Sequence, residues 1–188
     1  TCAFRSMEKI KMVDLHTQYA RIKPEIDAAI QAVLDSTAFI QGPQVATFAK
    51  ELAQFTGAKH VIPCANGTDA LQIAMMALDY KPGDEIIVPV HTYVATAEVI
   101  ALLGLKPVFV DVDPQTFNID PDQIAAKISS KTKAIVPVHL YGQCANMEAI
   151  LKIASDHNVD VIEDAAQSLS AEFIFSDGTR KKSGTMAT

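Results

Sequence analysis

Glu85-Ile-Ile-Val-Pro89, Tyr93-Val-Ala-Thr-Ala-Glu-Val-Ile-Ala-Leu-Leu103 and Pro107-Val-Phe-Val-Asp111 follow one another, with Gly104 between the second and third. The outer two are apolar runs of strand length. The middle one has helical length and is stopped by the glycine. A strand, a helix and a second strand in this order make a crossover unit, which joins parallel neighbours. Both strands are apolar at nearly every position rather than at alternate ones, as strands covered on two faces must be.

The same alternation extends in both directions. His60-Val-Ile-Pro-Cys64 is expected as the first strand, and Asn66-Gly67-Thr68 opens a helix with Leu71, Ala74, Met75 and Leu78 on one face. Pro82-Gly83-Asp84 makes the turn into the second strand. Asp120 caps and Pro121 starts a short helix running to about Ile128. Ala134 to His139 reads as a fourth strand, Asn146 to His157 as a helix, and Val159 to Glu163 as a fifth strand. Upstream, Ile22, Ile26, Ala29, Ile30 and Val33 fall at helical spacing, with Pro24 near the helix start. Val45, Phe48, Ala49 and Leu52 mark a second amphipathic helix, ended at Gly57. The fold class is α/β: three layers, α/β/α, around a mostly parallel sheet. Residues 7–58 form an N-terminal helical segment and 59–188 an α/β domain. Thr1 to Ser6 precede Met7 and are set apart as a scar or a misplaced start.

Composition bounds the function. The chain has 188 residues, 49% of them hydrophobic and 20% charged, with a net charge of −6. No basic stripe is available to neutralise phosphates, which argues against a nucleic-acid partner. The one basic run, Arg180-Lys-Lys182 beside Asp177-Gly178, reads as a solvated turn. Cys2, Cys64 and Cys144 are too widely spaced for a disulfide framework or a metal site and suit a reducing cytosol. No apolar run reaches the roughly 18 residues of a membrane span. The first residues lack the apolar core of a secretory signal. Cytoplasmic localisation, with no membrane and no metal, is therefore expected.

In parallel sheets, ligands bind beyond the carboxyl ends of the strands. Three clusters occupy those ends. Asn66-Gly67-Thr68-Asp69 starts a helix, where free N–H groups and the helix dipole suit a phosphate. The same residues also suit an ordinary cap without a ligand. His91 to Thr96 contains Tyr93, either a ring to stack on a planar ligand or a partly buried aromatic at a helix start. Glu163-Asp-Ala-Ala-Gln-Ser168 offers Asp164 as a partner for a protonated ring nitrogen, as half of a metal pair, or as a helix cap. His139 ends a strand, as a hydrogen-bonded structural residue or a substrate-side group. Asp111 and Asp113 read as strand-end and turn residues.

Six segments together resemble the DegT/StrS-type sugar aminotransferases, which are fold type I pyridoxal-phosphate enzymes. They are Met12-Val-Asp-Leu15, Phe39-Ile-Gln-Gly-Pro43, Asn66-Gly-Thr-Asp-Ala-Leu71, Thr92-Tyr-Val-Ala-Thr96, Val138-His-Leu-Tyr-Gly142 and Glu163-Asp-Ala-Ala-Gln-Ser168, in the family's order. The resemblance covers the chain from about Lys9 onward. It implies an aspartate-aminotransferase-like large domain, incomplete here, with pyridoxal 5'-phosphate as cofactor. It makes Gly67 and Thr68 phosphate binders, places Tyr93 on the pyridine face, pairs Asp164 with the pyridinium nitrogen and gives Gln167 a polar contact to the ring. The implied reaction moves an amino group, with glutamate as amino-acid donor, to a keto group on a nucleotide-linked sugar. The implied context is a cytoplasmic homodimer serving polysaccharide biosynthesis.

Two departures stand beside the resemblance. Leu169-Ser170 replaces the His-Gly found in many members. The family's Schiff-base lysine falls beyond Thr188, so no catalytic residue is expected within this chain. Lys181 and Lys182 do not match its position. A truncated aminotransferase is the leading expectation. A dehydratase of the same fold, or a non-catalytic or regulatory relative, are the alternatives.

Overall fold

The computed structural model describes residues 10–187. Thr1 to Ser6, Cys2 among them, lie outside the described residues. The chain divides into two compact units, and the boundary falls between Phe48 and Ala49.

The first unit holds helix α1 (Leu15–Ser36) and the start of α2 (Pro43–Thr56). Asp14 caps α1: its carboxylate accepts from the Thr17 amide at 3.2 Å and the Thr17 hydroxyl at 2.6 Å. Pro24, expected near the helix start, lies inside α1 instead. The cap at Asp14 explains the difference. It lets Leu15 and Tyr19 continue the apolar stripe of Ile22 and Ile26 back through an earlier turn, so the helix outlasts the proline.

The second unit is a four-stranded parallel sheet with helices on both faces. After α3 (Gly67–Ala77) come β1 (Glu85–Pro89), α4 (Ala95–Leu102), β2 (Lys106–Val110), α5 (Pro121–Ile124), β3 (Thr132–Ile135), α6 (Met147–His157) and β4 (Asp160–Val161). The strand order is β2-β1-β3-β4. β1 and β2 pair from Glu85 opposite Lys106 to Pro89 opposite Val110. Ladder bonds continue past the formal ends of β3 and β4: the Asp164 amide donates to Pro137 and the His139 amide to Asp164.

Alternate residues of the strands enter two cores. Ile87, Ile135 and Val161 pack with Ile124, Met147 and Ile150 on one face. Ile86, Val88, Ala134 and Val136 pack with Leu71, Met75, Val99 and Ile100 on the other. Burial on both faces is why these strands read as continuous apolar runs. It confirms the three-layer expectation.

Two expectations are corrected. His60 to Cys64 forms no strand; it is an irregular segment with Ile62 80% exposed. No described residue pairs with it, and a strand exists only through a ladder partner. The basic run at Arg180 is not a bare turn but strand β6 (Arg180–Lys182), antiparallel to β5 (Glu172–Ile174). Asp177 and Gly178 do form the turn between them, Gly178 at φ 84°. No described helix is long and apolar enough to cross a membrane.

Candidate functional site

β1 sends the chain to β2 on one side, while β3 lies on its other side. Connections leave β1 and β3 in opposite directions, and a crevice opens between them at the carboxyl edge. A cavity of about 420 Å³ occupies this place. The start of α3 supplies Gly67 and Thr68, the segment after β1 supplies Tyr93 and Thr96, and the segment after β4 supplies Asp164 and Gln167. All five residues expected to hold a cofactor thus line one cavity.

Each is placed by local chemistry. Asn66 caps α3, its side-chain oxygen accepting from the Asp69 amide at 2.9 Å. The cap satisfies the third amide and leaves those of Gly67 and Thr68, which have no partner within a helix, at the cavity. A Cβ added at Gly67 would meet nothing within 4 Å, so the wall is open there. Tyr93 is 73% exposed, its ring forming a rim of the cavity.

Asp164 is buried, and its carboxylate is held from two sides. Oδ2 accepts from the Thr96 hydroxyl at 2.8 Å and Oδ1 from the Ala166 amide at 3.2 Å. Thr92 Oγ1 lies 3.3 Å from Thr96 Oγ1. Gln167 accepts from the Tyr141 amide at 2.7 Å through its side-chain oxygen. That leaves the side-chain NH2 of Gln167 as a donor. Tyr141 itself sits at φ 57°, a conformation uncommon outside glycine.

His139 does not line the cavity. It is fully buried, and both ring nitrogens are engaged within the chain. Its Nδ1 accepts from the Ala145 amide at 3.1 Å, so the ring proton sits on Nε2, which donates to Glu163 Oε2 at 2.9 Å. Burial pushes the Glu163 carboxyl up. The bonds from His139 and from the Ala187, Gly184 and Met186 amides outweigh this and hold it below the usual glutamate range. Asp113 is a turn residue, accepting from the amides of Gln115 and Thr116 at 2.9 and 2.8 Å.

Two site features escape a reading of the sequence. Thr96 falls within the segment from Thr92 to Thr96, but its bond to Asp164 joins residues on different strand ends. Glu163 stands out only as the neighbour of Asp164, because its partners are remote in sequence: His139 upstream, and the Gly184, Met186 and Ala187 amides downstream. A larger hollow, about 690 Å³, opens at the amino edge of the sheet near Tyr80, Asp84, Lys133 and Asp160. Its position at the amino ends of the strands sets it apart from the site.

The chain is similar to known proteins over most of its length. The chain is 58% identical over 164 residues to a UDP-2-acetamido-2-deoxy-3-oxo-D-glucuronate aminotransferase of Pseudomonas aeruginosa, covering 87% of this chain and 46% of that protein. A DegT/DnrJ/EryC1/StrS aminotransferase from Brucella abortus superposes with a TM-score of 0.83 at 45% identity, over 86% of this chain and 45% of that one. NtdA of Bacillus subtilis, solved with the cofactor PMP bound, gives 0.85 at 34% identity, over 94% and 40%. The chain spans less than half the length of these relatives. Residues 20–188 match the family's pattern as a whole, and the chain belongs to the DegT/DnrJ/EryC1/StrS aminotransferase family.

Proposed function

We propose that the cavity at the carboxyl edge binds pyridoxal 5'-phosphate, and that residues 59–188 are part of the cofactor-binding large domain of a sugar aminotransferase. Residues 7–58 are its N-terminal helical segment. The whole enzyme transfers an amino group from glutamate to a keto group on a nucleotide-linked sugar, as a cytoplasmic homodimer in polysaccharide biosynthesis. One observation carries this reading: Gly67, Thr68, Tyr93, Asp164 and Gln167 line a single cavity. The aminotransferase activity of the P. aeruginosa relative and the PMP bound to NtdA support it.

The donor set fits the cofactor. The amides of Gly67 and Thr68, at a helix N-terminus, bind the phosphate. Asp164, fixed by Thr96, holds a proton at the pyridine nitrogen. Tyr93 covers one ring face and excludes water from it. The Gln167 amide donates at the ring edge. When bound, the cofactor supplies an electron-withdrawing ring, while the protein supplies orientation and charge.

Titration of the 188-residue chain with pyridoxal 5'-phosphate, followed by its absorbance and fluorescence, tests the reading. Asp164→Asn removes a charged partner worth about 1.5–3 kcal/mol, so binding weakens by roughly ten-fold or more. Tyr93→Ala removes a stacking contact worth about 1 kcal/mol, a loss of roughly five-fold. Binding that is unchanged in both variants would refute the assignment.

A further inference from the structure

The side chain of Glu163 is 3% exposed and faces four donors. Oε2 accepts from His139 Nε2 at 2.9 Å and the Gly184 amide at 2.8 Å. Oε1 accepts from the amides of Met186 and Ala187, each at 2.6 Å. Such charge-assisted bonds are the stronger kind. Both oxygens are occupied, so the carboxylate is not left for a ligand.

These bonds close a loop. The chain leaves Glu163, passes Asp164 and Gln167 at the cavity, runs out through the β5–β6 hairpin and returns at Gly184. A second tie stands inside the first. Ser183 Oγ donates to the Ser168 carbonyl at 2.5 Å, and the two serine hydroxyl oxygens are 3.0 Å apart. Gly184 also backs onto the wall: at φ 77°, a Cβ there would lie 3.4 Å from the Cβ of Ala165. The wall segment 164–167 is thus bracketed between one tie at Glu163 and another at Ser168.

We infer that Glu163 is a positioning residue: it fastens the returning backbone of Gly184 to Ala187 against the end of β4, and so fixes the cavity wall that carries Asp164 and Gln167. Glu163 borders the cavity, but its carboxylate oxygens are engaged by His139 and three backbone amides, so it acts through its neighbours. This rests on the cavity being the cofactor site proposed above. A carboxylate is required, because the carboxamide introduced by Glu163→Gln would set an NH2 group against His139 Nε2–H or a backbone amide, donor facing donor.

The test uses the 188-residue chain and two readouts. The first is hydrogen exchange at the amides of Gly184, Met186 and Ala187. The second is the dissociation constant for pyridoxal 5'-phosphate. Glu163→Gln is expected to speed exchange at those amides by about ten-fold or more and to weaken binding by about ten-fold. Ser183→Ala, a smaller change that spares the fold, is expected to weaken binding by roughly three-fold. Glu148→Gln is the control. Glu148 accepts from the Ser176 amide at 3.1 Å at the hairpin turn, away from the wall, and its loss should leave affinity unchanged. Binding within about two-fold of the parent in both Glu163→Gln and Ser183→Ala overturns the inference while leaving the cofactor site standing. An affinity loss as large in Glu148→Gln also overturns it, since the effect would then be general loosening. Failure of the parent chain to bind removes the proposed function first, and this inference with it.

Discussion

His60 to Cys64 and Glu85 to Pro89 are two five-residue segments of the same apolar character, each carrying a proline. They have opposite fates. Ile86, Ile87 and Val88 are fully buried in β1, whereas Ile62 is 80% exposed in an unpaired segment. β1 is hydrogen-bonded to β2 on one side and β3 on the other. The segment at 60–64 has no ladder partner among the described residues. Apolar composition nominates a strand, but pairing makes one, and pairing is a property of two segments at once.

Substitutions at the two segments should therefore differ sharply in cost. Ile86→Ala empties a site packed on every side and should destabilise the domain by about 2–5 kcal/mol. Ile62→Ala, made in solvent, should change stability by less than about 0.5 kcal/mol. Urea unfolding of the two variants measures the difference. Equal losses would mean that residues 60–64 are packed in solution, and the comparison would fail.

A smaller effect concerns association. Ile62 and the α1 stripe of Leu15, Tyr19, Ile22 and Ile30 are exposed in the same chain. Contiguous exposed apolar surface marks an interface or an aggregation site. The net charge of −6 opposes contact, but physiological salt screens it beyond about 8 Å. Sedimentation at micromolar concentration should therefore show concentration-dependent self-association. Ile62→Lys should reduce it slightly and Ile22→Lys more. A monodisperse monomer at every concentration would show that these surfaces are inert.

The same contrast explains what is legible in the sequence. The crossover unit from Glu85 to Asp111 is readable because its strands bury both faces, so every position carries the signal. Gly67, Thr68, Tyr93, Asp164 and Gln167 are readable as a set because each follows an apolar run of strand length, and the carboxyl ends of such runs share an edge. The β5–β6 hairpin is not: its strands are three residues each, half polar, and look like the turn they flank. His139 and Glu163 are ambiguous for another reason. A lone histidine and a carboxylate beside a more conspicuous one are fixed by each other across the sheet, by the Ala145 amide, and by the remote amides of Gly184, Met186 and Ala187. Side-chain bonds to remote backbone leave no trace in spacing.

The proposed cofactor site is the small cavity at the carboxyl edge, not the larger hollow at the amino edge. Amide chemical shifts recorded while the chain is titrated with pyridoxal 5'-phosphate test this most directly. Saturable shifts are expected at Gly67, Thr68, Tyr93, Asp164 and Gln167, with Tyr80, Lys81 and Asp160 unmoved. Shifts centred on Tyr80 and Asp160, or none at Gly67 and Asp164 at saturating cofactor, would contradict it.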